Sequence, residues 1–273
     1  MNIIDAIVLG AVQGLTEFLP ISSSGHLIIA REILGLQVEY GLSFDAVLHF
    51  ATAFAVLVYF WKDFMGLFKT FTRIILHKPV LLQEKNLLVA LIVGTIPAVI
   101  LGLLLETYME TLFRSAMLVA IILLVGSLIM YAAEQYAKKH TKEQGTAISI
   151  KKGLGIGFFQ ALALIPGMSR SGMTIAGGLF LGLTREEAAR FGFLLSLPIV
   201  LGAGSKKLLE LSEDGVLFDL GFALVFGALA AFVVGMLVIH YLLRYLKSHT
   251  LHLFIGYRVL LVAIILLYSF VLM

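Results

Sequence analysis

The sequence predicts an all-α, polytopic integral membrane protein, and three observations carry that prediction. The 273 residues are 60% hydrophobic and only 14% charged, with a mean hydropathy of +1.02. A water-soluble domain carries about 25% charged residues, so most of this surface is expected to face lipid. Apolar stretches long enough to cross a bilayer recur along the whole chain. Two of them, 3–35 and 153–183, break midway at related Ser/Gly/Pro-rich sequences.

Six stretches run without such a break: 44–60, 87–105, 116–133, 191–204, 217–240 and 252–272. A spanning helix needs about 20 mostly apolar residues. The 191–204 stretch is short and holds Pro198, which a membrane helix tolerates as a kink where neighbours re-satisfy the backbone. About six spanning helices and two broken segments are therefore expected, about ten helices in all, forming a single membrane domain over 1–273. No room remains for a soluble domain. Segment 64–76 places Phe64, Leu67, Phe68 and Phe71 against Lys69 and Arg73, the pattern of an interfacial amphipathic helix. Gly-rich spans, including Gly177-Gly178, read as close helix packing.

Composition also excludes function classes. The net charge of +3 is small and sits mostly on loop lysines, so nucleic acid is not an expected partner. Zero cysteines exclude disulfides, Fe–S clusters and Cys-ligated zinc. The N-terminus lacks a basic leader, and Gln13 and Glu17 interrupt its apolar run. It is expected to remain in the mature chain rather than act as a signal peptide.

The two breaks are copies of one pattern. The first reads Phe18-Leu19-Pro20-Ile21-Ser22-Ser23-Ser24-Gly25-His26, the second Ile165-Pro166-Gly167-Met168-Ser169-Arg170-Ser171-Gly172-Met173-Thr174. A constant shift of 147 positions superimposes Gly10 on Gly157, Gln13 on Gln160, Ser22 on Ser169, Ser24 on Ser171 and Gly25 on Gly172. An ungapped match of this kind marks an internal repeat. The halves are expected at about 1–133 and 148–273, joined by a basic cytoplasmic loop, 134–152.

Orientation follows from charge. If each broken segment is a re-entrant hairpin, then 61–86, 134–152, 184–190 and 241–251 share one side and hold 14 Lys/Arg, against 4 opposite. The positive-inside rule places the 14 in the cytoplasm, with both termini outside. Repeat one then enters from outside and repeat two from inside. This inverted-topology repeat brings two hairpin tips together near the midplane, where interrupted helices build binding sites.

Ionisable groups are costly in the bilayer and are functional candidates by default. Within the broken segments these are Glu17, His26 and Arg170. Gln13 lies one turn before Glu17 on the same helix face and can orient that carboxylate or offer an oxygen to a metal. Each restarting half-helix presents unpaired N–H groups and a positive dipole end, which suit an anion. Ser22, Ser23, Ser24, Ser169 and Ser171 can cap these ends and donate to phosphate oxygens. Arg170 adds a planar guanidinium, and His26 and Thr174 follow at helical spacing. Two facing ends suit a ligand with two linked phosphates. His49, by contrast, reads as a packing residue in an apolar span.

These residues resemble the undecaprenyl-diphosphate phosphatase family, also called bacitracin-resistance proteins. The likeness rests on Gln13-Gly-Leu-Thr-Glu17-Phe-Leu-Pro-Ile-Ser-Ser-Ser-Gly-His26 and Pro166-Gly-Met-Ser-Arg-Ser-Gly-Met-Thr174, with Gln13 where some members carry Glu. The resemblance implies hydrolysis of undecaprenyl pyrophosphate to the monophosphate and phosphate in a bacterial plasma membrane. That reaction recycles the lipid carrier of peptidoglycan synthesis and confers bacitracin resistance. It implies Glu17 as base or metal ligand, Ser23 as nucleophile or substrate donor, and His26 as acid/base or covalent acceptor. Arg170, Ser169, Ser171 and Thr174 would hold phosphate. A divalent cation, Mg2+ or Ca2+, is expected with the substrate, near Glu17 and Gln13. The partners expected are a polyprenyl pyrophosphate lipid and the membrane, with a homodimer left open. A transporter or flippase shares the inverted-repeat architecture and is the alternative.

Overall fold

A computed structural model describes residues 1–33, 35–36, 41–112, 116–141, 144–213 and 216–272. They form eleven helices: α1 (Ile3–Phe18), α2 (Ser23–Ile33), α3 (Gly41–Tyr59), α4 (Trp61–Ile75), α5 (Leu82–Leu112), α6 (Ala116–Lys139), α7 (Ile150–Leu162), α8 (Arg170–Phe180), α9 (Arg185–Glu213), α10 (Val216–Leu246) and α11 (His252–Leu272). Among the described residues there is no strand, only an isolated bridge between Gly145 and Leu183. The all-helical, polytopic expectation is met.

Composition sorts the helices. Four are long and apolar enough to cross a bilayer: Leu82–Leu105, Met117–Lys139, Arg185–Glu210 and Gly221–Leu246. A fifth span counts if α3 and α4 are taken together across their 77° bend, and α11 contributes a shorter apolar helix. The six spans expected from sequence thus divide into four full-length helices, one bent pair and one short helix. The bend has a sequence cause. Past Tyr59 the uniformly apolar pattern gives way to the amphipathic one of α4, which exposes Trp61, Phe68 and Phe71. Such a helix lies along an interface rather than through it.

Helices close to one another through glycine. Without a side chain on Gly10, the Gly227 carbonyl oxygen lies 2.1 Å from where a Cβ would stand. On Gly157 the Gly94 carbonyl oxygen lies at 2.2 Å. Lipid supplies no hydrophobic drive between helices, so close van der Waals approach of small residues does this work. The pattern is reciprocal: α1, from the first half, packs along α10 in the second, while α7, from the second half, packs along α5 in the first.

The charged segments also converge. Glu134 accepts from Arg185 Nε and NH2 at 2.9 and 2.6 Å, Arg190 pairs with Asp63, and Lys247 pairs with Glu186 at 3.2 Å. Segments 61–86, 134–152 and 241–251 are thereby each tied to 184–190, so all four lie on one face. One boundary differs from expectation. The stretch 134–152, expected as a loop, is helical at both ends, since α6 runs on to Lys139 and α7 begins at Ile150. Ala132, Ala133, Glu134, Gln135 and Ala137 favour helix, and Glu134 is held at the centre of the ion-pair face.

Candidate active site

α1 ends where Pro20, which has no N–H to donate, follows Leu19. The chain then turns at Ser22 and restarts as α2. The second half does the same: α7 ends, Pro166 and Gly167 turn the chain, and α8 restarts after Ser169. Ser22 and Ser169 share an unusual left-handed backbone, φ 74° and 76°. Non-glycine residues pay for that conformation, and such strain clusters at functional sites. In each copy the serine hydroxyl lies 3.3 Å from that of the serine two residues on, Ser24 or Ser171. Ser169 also caps α8 by accepting from Gly172 N at 3.2 Å. The two breaks, 147 positions apart, thus share local geometry as well as sequence.

The two breaks touch. The Ser171 hydroxyl donates to the Leu19 carbonyl at 2.9 Å, which also accepts from the Ile21 N–H at 2.7 Å just past the end of α1. Across this contact Glu17 becomes a hub. Arg170 NH2 lies 2.9 Å from its Oε1 in an ion pair, and the Ser23 hydroxyl donates to its Oε2 at 2.7 Å. Gln13 Nε2 donates to the same Oε2 at 3.0 Å, and His49 Nδ1 lies 3.1 Å from it. The Glu17 side chain is 8% exposed, so a buried carboxylate from one repeat is neutralised by an arginine from the other.

Beside this hub lies a cavity of about 370 Å³. Glu17, Arg170, Ser23 and His49 line it, with Ser22, Ser24 and Ser169 at the helix starts and Gln160 on the α7 wall. Its remaining wall is apolar, from α5, α9 and the second break. A small polar floor in an apolar mouth suits an anionic head group on a hydrophobic chain.

The structure brings together Gln13, Glu17, Ser22, Ser23, Ser24, Ser169 and Arg170. It sets three other sequence-selected residues off the cavity wall. His26 Nδ1 is 2.7 Å from the Ser22 carbonyl, and its Nε2 is 2.7 Å from the Tyr257 hydroxyl. Its imidazole stacks on Tyr257 instead of facing Glu17. Thr174 donates to the Arg170 and Ser171 carbonyls, at 3.0 and 3.3 Å, and Ser171 serves the Leu19 clasp. His26, Thr174 and Ser171 shape the breaks, Gln13 backs Glu17 from behind the wall, and Glu17, Ser22, Ser23, Ser24, Ser169 and Arg170 line the cavity.

His49 requires a correction. Expected to pack, it instead lies 2.9 Å from Gln13 Nε2 and 3.1 Å from Glu17, on the cavity wall. Period reading failed because α3 is apolar nearly all round. The available signal was Asp45 and His49 at i, i+4, two polar groups on one face of a membrane helix. Arg258 was also passed over. It is fully buried within α11 and donates to Ser127 Oγ at 2.9 Å, the Leu123 carbonyl at 2.9 Å and the Gly167 carbonyl at 3.1 Å. Through Gly167, whose φ of 95° a side chain would resist, it braces the second break.

No group of three or more His, Cys, Asp or Glu placed to hold a metal occurs among the described residues. Gln13 Oε1 is buried without a hydrogen-bond partner, but Gln13 is fully buried and off the cavity wall, and its Nε2 rather than its Oε1 meets Glu17. The single carboxylate on the cavity wall, Glu17, fits a hard cation that takes most of its ligands from a substrate.

The family model described as bacitracin resistance protein BacA matches residues 6–264. A Moorella thermoacetica protein named undecaprenyl-diphosphatase is 44% identical over 265 residues, 97% of each chain. Proteins of the same name from Methanosphaera stadtmanae and Elusimicrobium minutum are 42% and 41% identical, covering 94% and 98% of each chain. A match across nearly all of the chain, at this identity, leaves one assignment: the chain belongs to the bacitracin resistance protein BacA family.

Proposed function

We propose that this protein hydrolyses undecaprenyl pyrophosphate to undecaprenyl phosphate and inorganic phosphate. The single observation that carries this reading is the hub itself. A buried carboxylate, a hydroxyl 2.7 Å from it and an arginine 2.9 Å from it converge from two repeats on one cavity. Phosphoryl transfer needs little covalent chemistry from a protein. It needs positioning and charge stabilisation, which this arrangement supplies.

In the mechanism we favour, Glu17 is the general base and Ser23 the hydroxyl that it serves. Ser23 Oγ attacks the terminal phosphorus as its proton passes to Glu17. The bond from that phosphorus to the bridging oxygen breaks, and undecaprenyl phosphate leaves with the bridging oxygen. Water then cleaves the phosphoserine and releases inorganic phosphate. Arg170 and the N–H groups at the starts of α2 and α8 hold the phosphate oxygens and the charge that develops on them. His49 and Gln13 fix the Glu17 carboxylate. A Mg2+ or Ca2+ arriving with the substrate, with Glu17 as its protein carboxylate, would neutralise phosphate charge when bound.

The reading extends to the membrane. The face that gathers Arg185, Arg190, Arg244 and Lys247 is assigned to the cytoplasm by the positive-inside rule, so both termini lie outside and the two halves run in opposite senses. The site then opens outward, and recycling of the lipid carrier, with bacitracin resistance, is the physiological role. The reciprocal packing of α1 on α10 and α7 on α5 also suits a transporter, so the test must separate the two.

Purified protein in detergent, given the C55 lipid diphosphate, is expected to release one equivalent of inorganic phosphate per lipid and to form phospho-Ser23. Movement of labelled lipid across liposomes without phosphate release would replace this reading with the transporter.

A further inference from the structure

Gln160 belongs to the repeat but not to the hub. It is 2% exposed, it lines the cavity, and neither its Nε2 nor its Oε1 has a hydrogen-bond partner. Buried polar side chains are nearly always bonded, and leaving one unsatisfied is costly enough that each case demands a reason. Here a residue whose side chain carries two donor hydrogens and an acceptor lines a cavity built for an anion.

The repeat supplies the reason. The same shift of 147 that pairs Gln13 with Gln160 pairs Glu17 with Leu164. In the first copy the glutamine Nε2 donates to a carboxylate one turn later, at 3.0 Å. In the second copy that carboxylate is absent and an apolar side chain, also on the cavity wall, stands in its position. The second glutamine has kept its place on the equivalent helix, one and a half turns before the equivalent break, and has lost its internal anion.

We propose that Gln160 is a substrate-binding residue, and that a phosphate oxygen of the bound diphosphate accepts from its Nε2 in the position that Glu17 fills beside Gln13. Its Oε1 then accepts from a water or a protonated phosphate oxygen. The near-symmetric pair of half-sites would thereby be completed on one side by the chain's own carboxylate and on the other by the ligand. This inference rests on the diphosphatase reading and adds to it a contact on the α7 wall, away from the hub.

The test uses full-length protein in detergent and two variants, Gln160→Leu and Gln160→Glu. Thermal unfolding is followed with and without inorganic pyrophosphate, and KM is measured on the lipid diphosphate. Gln160→Leu removes an unsatisfied amide, so the ligand-free protein is expected to unfold at a higher temperature than wild type. Its stabilisation by pyrophosphate is expected to fall and its KM to rise about 10-fold or more, as for a lost hydrogen bond to a charged group. Gln160→Glu, close in size, sets a negative charge against phosphate and is expected to raise KM further. A purely structural glutamine would give the opposite sign, a lower ligand-free unfolding temperature in Gln160→Leu. That result, or wild-type pyrophosphate stabilisation and KM in either variant, overturns the proposal. If Gln160→Leu does not fold, it too counts as evidence for a structural role. Failure of the underlying reading has a separate signature, because wild-type protein would then release no phosphate.

Discussion

Arg170→Ala should lower phosphate release from the lipid diphosphate by about 10³-fold or more, the scale found for arginines that stabilise a transferring phosphoryl group. Two effects combine in this loss. The guanidinium presents several donors in one plane, and its NH2 approaches Glu17 at 2.9 Å while the group lines the cavity, so the same fork can grip phosphate oxygens. Its removal also leaves the buried Glu17 carboxylate without its cation, which alters the base as well as the clamp. Arg170→Lys should recover little of the activity, because a point charge cannot span both partners. Steady-state assay of purified variants, with the fold checked by thermal unfolding, decides the matter. Activity within tenfold of wild type in Arg170→Ala would remove Arg170 from the chemistry.

Glu134→Ala should produce the largest loss of stability, about 3–5 kcal/mol. The Glu134 side chain is 1% exposed, and its carboxylate serves two partners. It pairs with Arg185 through two nitrogens, and its Oε1 accepts from the Leu251 N–H at 2.8 Å. Truncation therefore orphans a buried backbone donor and strips Arg185 of its partner, and it unties the end of α6 from the start of α9 and from the α10–α11 turn. Arg185 is 22% exposed and can recruit some water, which favours the lower end of that range. Glu134→Gln keeps an acceptor for Leu251 and should cost less. Denaturant titration in mixed micelles measures both, and an unchanged midpoint in Glu134→Ala would show that the ion-pair face does not hold the bundle together. Neither variant touches the cavity, so residual activity should scale with the folded fraction.

Much of this architecture is legible in the sequence because the bilayer imposes a coarse rule. Apolar runs must be helices, and interruptions such as Leu19-Pro20 and Ile165-Pro166 must be used. The repeat then locates the site, since the residues it aligns, Ser22 with Ser169 and Ser24 with Ser171, adopt the same conformation and the same hydroxyl pairing. What stayed hidden lies on helices whose pattern carries no phase. His49 and Arg258 sit in spans that are apolar on nearly every face, so periodicity could not say where either side chain points. Their partners are also distant in sequence: Arg258 reaches Ser127 and Gly167, and His49 reaches Gln13 and Glu17. The charge rule for membrane helices would have flagged Arg258 had it been applied to unbroken spans as well as broken ones. His26 shows the converse limit. Helical spacing from Ser22 correctly placed it on the restarting helix, but the competing hydroxyl of Tyr257, more than 200 positions away in the chain, set its direction.

The account turns on Glu17 and Arg170 acting as one unit supplied by two repeats. A double-mutant cycle on phosphate release, with Glu17→Gln, Arg170→Ala and the combined variant, measures that directly. If the pair is a unit, the combined variant will be no slower than the slower single variant, within about threefold. Losses that multiply, each variant costing as much in the other's background as alone, would show two residues working independently and would contradict a shared site.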